Sequence, residues 1–228
     1  MGLDVNKKVL YIIISSMITI GLLYLIDQIL TLNYITKIGV KLFLFALIPT
    51  IYILKTKQNI LKESIRNRAR ENNKFSTILG LTVFILIIIA YVITKQYIDL
   101  DVLIGEFECK YEIDRSNIIY YGLYLAFINS LLEEFFFRGF IFLNLKKLNL
   151  RRSAYFISSA AFTIYHMANI QNWFSIGLFL FVIIGLFAGG VIFNYLDDKQ
   201  NTFFNSWFVH ICADLAIVLV GFKIFGVL

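Results

Sequence analysis

The stretch Ser76-Thr77-Ile78-Leu79-Gly80-Leu81-Thr82-Val83-Phe84-Ile85-Leu86-Ile87-Ile88-Ile89-Ala90-Tyr91-Val92-Ile93-Thr94 contains no charged side chain. Wound as a helix rising about 1.5 Å per residue, it is long enough to cross a hydrocarbon layer about 30 Å thick. Working outward, comparable apolar runs occur at Leu10–Leu30, Lys37–Leu54, Asn117–Leu143, Ser153–Ile170, Trp173–Tyr195 and Asn205–Phe222, so about seven transmembrane helices are expected. The composition agrees: of 228 residues 59% are hydrophobic and one is proline, and the mean hydropathy is +0.78. A water-soluble globule is excluded by that balance. The expected fold is all-α, a polytopic membrane helix bundle forming one continuous membrane domain. Within it, 1–116 supplies N-terminal helices and a basic linker, and 117–228 supplies the helix core that carries the chemistry.

A formal net charge of +6 would suggest nucleic acid in a soluble protein, but here the basic residues gather in short connections. They set membrane orientation, and no nucleic-acid partner is indicated. Lys55, Lys57, Lys62, Arg66, Arg68, Arg70 and Lys74 outweigh Glu63 and Glu71 in one connection, and Lys146, Lys147, Arg151 and Arg152 fill another. Both belong in the cytosol, while acidic Lys95–Arg115 belongs outside. This predicts a cytosolic N-terminus. Lys37 and Lys41, near the outer end of the second helix, run against the pattern and are outnumbered. Ile60, Leu61 and Ile65 leave the basic linker readable as an amphipathic surface helix or as a solvated loop. Gly185, Gly189 and Gly190 give the sixth helix a small-residue face suited to close packing. Cys109 and Cys212 form no CxxC pair or disulfide framework.

Chemistry enters where charge is expensive. A charged side chain near the bilayer centre costs about 2.5 to 3.5 kcal/mol on insertion scales, and the fourth helix holds Glu133, Glu134 and Arg138. Glu134 and Arg138, four apart, share a face and can pair; Glu133 points elsewhere and needs a partner from another helix. The only two histidines, His166 and His210, both lie in apolar runs, and Asp214 stands one turn after His210. Counting from the cytosolic helix ends puts Glu133 at roughly 15 Å, His166 at roughly 20 Å and His210 at roughly 5 to 10 Å depth. Convergence is therefore geometrically open. Such a set can deprotonate water directly, or it can bind Zn²⁺ through His166, His210, Glu133 and Asp214 and let the metal activate water. Spending Glu133 as a ligand removes the obvious base, which tilts the expectation slightly toward a metal-free site. The HExxH, GxSG and GxGD patterns of other intramembrane proteases are missing. A proton-coupled transporter would also use membrane Glu and His, but paired repeats are not seen.

Glu133-Glu134-x-x-x-Arg138, Phe162-x-x-x-His166 and His210-x-x-x-Asp214, in this order on three separate apolar helices, resemble the CPBP family, also called Abi or type II CAAX prenyl endopeptidases. The resemblance spans about Asn117 to Phe222. It implies an intramembrane endopeptidase, of glutamic or metallo type, acting on membrane-associated peptides or proteins. Glu133 would activate water together with His166, His210 and Asp214 would position water or stabilise the oxyanion, and Glu134 with Arg138 would brace the site. Asp214 stands where the prenyl-protein proteases carry asparagine and resembles the bacterial-looking branch instead, which implies a bacterial plasma membrane and argues against CAAX substrates. The other activity implied is bacteriocin self-immunity, or a non-catalytic membrane scaffold of the same fold.

Overall fold

The computed structural model describes residues 4–30, 32–68, 74–170 and 175–228, with Asn169 as backbone only. Arg70 and Glu71 of the basic linker, and Trp173 at the expected start of the sixth apolar helix, lie outside the described residues. Among the described residues there is no strand. Helices run as α1 (Val5–Gln28), α2 (Tyr34–Thr56), α3 (Ile60–Arg68), α4 (Lys74–Thr94), α5 (Leu100–Tyr111), α6 (118–147), α7 (Arg151–Ile170), α8 (Ile176–Gln200) and α9 (Phe204–Ile224).

Among the described residues, five stretches are long and apolar enough to cross a membrane: Val5–Gln28, Tyr34–Thr56, Lys74–Tyr97, Ile176–Gln200 and Phe204–Ile224. The other two of the seven passes, α6 and α7, carry Glu133, Glu134, Arg138 and His166. Large apolar side chains cover the exterior, among them Ile78, Leu81, Ile85, Phe181 and Ile184, while Glu133, Glu134, Arg138, Asn194 and Asp197 are buried. This inversion of the soluble pattern marks an integral membrane protein, because an exposed apolar belt is stable only against lipid. Both basic connections lie at one end of the bundle. There Lys147 pairs with Glu63, and Thr202 donates to the Ser64 carbonyl at 3.1 Å. At the opposite end Tyr111, Ile113 and Ile118 pack with Tyr34, Phe222 and Phe225.

Two connections are helical, the first as one of its two readings allowed and the second beyond expectation. The basic linker contains the amphipathic helix α3, with Ile60 and Ser64 buried and Leu61 and Ile65 exposed. The acidic connection contains α5, whose N-terminus is capped by the Asp99 side chain accepting from Val102 N at 3.2 Å. Helix α8 also outruns its apolar stretch by five residues (195 to 200), because the added acids are satisfied. Asp197 accepts from Ser206 Oγ at 2.6 Å, and Asp198 meets Lys146 at 2.7 Å and also pairs with Arg151. Asn201 then ends the helix in the left-handed region at φ 54°.

Polar clamps fix the helices that matter for the site. Ser158 of α7 donates to the Phe137 carbonyl of α6 at 3.0 Å, and Asn194 of α8 donates to Ser159 Oγ at 3.1 Å. Trp207 of α9 donates to Ser130 Oγ of α6 at 3.1 Å. Of the three glycines expected to pack closely, only Gly190 does so: a Cβ there would lie 3.1 Å from the Ser159 Cα, whereas at Gly185 and Gly189 it would meet nothing. Those two face outward from the chain.

Candidate active site

Helix α6 presents most of the site, and it does so through an irregular backbone. An α-helical turn, Ser130–Glu134, is set between two wide π-helical stretches, Tyr124–Asn129 and Phe135–Leu143. Wide turns of this kind re-aim the side chains around them and recur at functional sites. Within the short turn Glu133 and Glu134 take different partners. Glu134 Oε1 accepts from Arg138 at 2.9 Å, as the four-residue spacing predicts. The Arg138 guanidinium is fully buried and lies 4.2 Å from the Phe162 ring centroid and 4.9 Å from that of Phe193.

The same Glu134 oxygen also lies 2.8 Å from His210 Nδ1. A carboxylate paired with Arg138 can only accept, so Nδ1 carries the proton and Nε2 is turned inward. His166 is oriented in the same manner, its Nδ1 lying 2.9 Å from the Phe162 carbonyl. Both imidazoles therefore aim Nε2 at Glu133 Oε2, from 3.5 Å for His166 and 3.9 Å for His210. Asp214 Oδ1 stands 3.7 Å from His210 Nε2. The four side chains singled out from sequence thus converge from α6, α7 and α9. Glu134 does more than pair with Arg138, since it sets the ring of His210.

Two participants were not anticipated. Lys41 of α2 donates to Glu133 Oε1 at 2.8 Å, and Asn129 donates to the same oxygen at 2.8 Å. Lys41 also donates to Asn129 Oδ1. Its charge had been read only as a flaw in the topology. The signal was present all the same: the rule that singles out Glu133, a charge deep in an apolar helix, applies equally to Lys41. Asn129 sits four residues before Glu133 and so could have been placed on its face. With Oε1 holding two donors, Glu133 Oε2 is buried and makes no hydrogen bond; Asp214 Oδ2 is in the same condition.

This donor set fits a divalent cation. Ligand atoms of Glu133, His166 and His210 lie within 4.8 Å of one another, and each imidazole has its outer nitrogen held by an acceptor, as metal-ligating histidines do. Asp214 stands beside the trio.

Residues 115–216 match the family model described as type II CAAX prenyl endopeptidase Rce1-like. This segment is similar to Rce1-like domains. All of Glu133, Glu134, Arg138, His166, His210 and Asp214 fall inside it, and Lys41 falls outside. The match thus covers α6 to α8 and α9 as far as Ala216, with α1 to α5 lying before it. No curated protein and no solved structure matches the chain.

Proposed function

We propose that this protein is an intramembrane endopeptidase in which Glu133 is the general base that activates water against a peptide carbonyl. The observation that carries the reading is the asymmetry of Glu133: Oε1 is saturated, and Oε2 is buried, unbonded and faced by two imidazole nitrogens. A water in that gap gives its proton to Oε2 as its oxygen bonds to the carbonyl carbon. When the C–N bond breaks, the same proton passes from Glu133 to the departing amine, so the base returns to its starting state. His166 Nε2 holds the water in line, and His210 with Asp214 contacts it or the tetrahedral oxygen from the other side. Arg138 and Glu134 hold His210.

The metal question divides two chemistries. A divalent ion held by His166, His210 and Glu133 would supply a water of lowered pKa. We favour the metal-free form, because Lys41 already gives Glu133 a cationic partner and Oε2 is then left to act as base. The substrate class is membrane-associated peptide or protein, in keeping with the family and with burial of the site in the bilayer. The basic end of the bundle faces the cytosol.

The test compares the peptides released from membranes carrying wild type or Glu133→Gln, followed by turnover of one such peptide by purified protein. Glu133→Gln, His166→Ala and His210→Ala are each expected to lose about 10²- to 10⁴-fold in kcat, the range of a lost general base, while remaining folded. Wild-type turnover by Glu133→Gln would remove Glu133 as the base. Exhaustively chelated wild type is expected to stay active. Loss on chelation with recovery on adding zinc would make Glu133 a ligand instead.

A further inference from the structure

One of the two hydrogen bonds to Glu133 comes from outside the Rce1-like domain. We propose that Lys41 is a positioning residue for the reaction: together with Asn129 it pins Glu133 through Oε1, so that Oε2 alone is presented to the water and to the imidazoles. The proposal rests on Glu133 being the base.

A carboxylate that turns freely about its terminal bond presents either oxygen, and a base that must meet a water between two histidines needs one of them fixed. Two donors on Oε1, each at 2.8 Å, impose that choice. Glu134 cannot exchange roles with Glu133, because its Oε1 is held by Arg138 and His210. Arg138 is thereby committed to Glu134, and among the described residues Lys41 is the Lys or Arg side chain that ion-pairs with Glu133.

The position of Lys41 is over-determined. Its ammonium lies 4.9 Å from the ring centroid of Tyr165, the residue before His166, and 5.8 Å from that of Phe45. Phe45, one turn along α2, stacks on Phe136 of α6 at 4.5 Å and 11°. Helix α2 is thus registered on α6 by an aromatic stack, which delivers the ammonium to Glu133. This gives the N-terminal half a role in the site: α2 carries a residue that the Rce1-like domain does not contain.

The alternative is an ion pair that merely holds α2 to α6, and kinetics separate the two. In full-length protein, Lys41→Met keeps the length of the side chain and removes the charge; Lys41→Arg restores a donor. A positioning role predicts a kcat lowered about 10- to 100-fold for Lys41→Met, the size of effect a misplaced catalytic group produces. KM should be unchanged, and Lys41→Arg should recover part of the loss. The carboxylate stretch of Glu133, isolated as the infrared difference between wild type and Glu133→Gln, should shift in Lys41→Met. An unshifted band, a wild-type kcat, or a loss of turnover that only follows loss of folded protein in thermal melts overturns the proposal. The two readings fail differently. Full turnover by Glu133→Gln removes the base itself, whereas normal turnover by Lys41→Met beside an inactive Glu133→Gln removes only the role of Lys41.

Discussion

At Glu134 one oxygen accepts from both Arg138 and His210. Arg138 is wholly buried, and its Nε and second terminal nitrogen make no hydrogen bond. Removing Glu134 therefore leaves an uncompensated charge in a low-dielectric interior, a change that costs about 3 to 5 kcal/mol. Glu134→Ala and Arg138→Ala are both expected to lower the yield of folded protein and its melting temperature. Glu134→Gln should do less harm to His210, because the amide oxygen still accepts from Nδ1. Normal yield and melting temperature for both alanine variants would show that the pair is not structural. The pairs legible in the sequence were those four residues apart on one helix, Glu134 with Arg138 and His210 with Asp214. Helix geometry alone brings such residues onto one face. The contacts of His210 with Glu134 and of Lys41 with Glu133 join residues 76 and 92 positions apart. They depend on how helices pack, which no local spacing encodes.

Among the elements, apolar length identified the passes and their order, but it set helix ends where charge began. That rule failed at α8, whose Asp197 and Asp198 stay helical because Ser206, Lys146 and Arg151 satisfy them. It failed again at α5, where Asp99 caps a helix in a segment read as a plain connection. The π-helical stretches around Glu133 were also illegible, since no residue type marks them. The glycines of α8 show how a composition signal divides once neighbours are known. A side chain at Gly190 drives into the backbone of Ser159, while one at Gly185 meets open space on the outer face. Overpacking a close contact costs about 1 to 3 kcal/mol. Gly190→Leu is thus expected to lower the melting temperature of detergent-solubilised protein and to loosen α7, which carries His166. Gly185→Leu should leave both unchanged. Equal melting curves for the two variants would show that the α7–α8 contact is not tight.

For the whole molecule, the seven passes place N- and C-termini at opposite ends, and the ends differ in charge. Lys147 with Glu63, and Lys146 and Arg151 with Asp198, tie the basic connections into one surface; acidic α5 packs at the far end, beside the start of α6 and the end of α9. The alternation of sign read along the sequence thus corresponds to two real faces, because each pass reverses the chain. Moving lysine and arginine across a membrane is costly, so the orientation proposed here keeps the basic face inside. Lys37 and Lys41 no longer count against that assignment. Lys41 is taken up by Glu133, and Lys37 donates to the Asp27 carbonyl at 3.4 Å, so neither reports on surface charge. Cys109 gives the test, since it is exposed on α5. Cys212 lies against Gly80, where an added Cβ would come within 2.8 Å of its sulfur, and is best replaced by serine. In that background a membrane-impermeant maleimide added to intact cells should modify Cys109 fully before lysis. Modification only after permeabilisation would invert the bundle and put α5 in the cytosol.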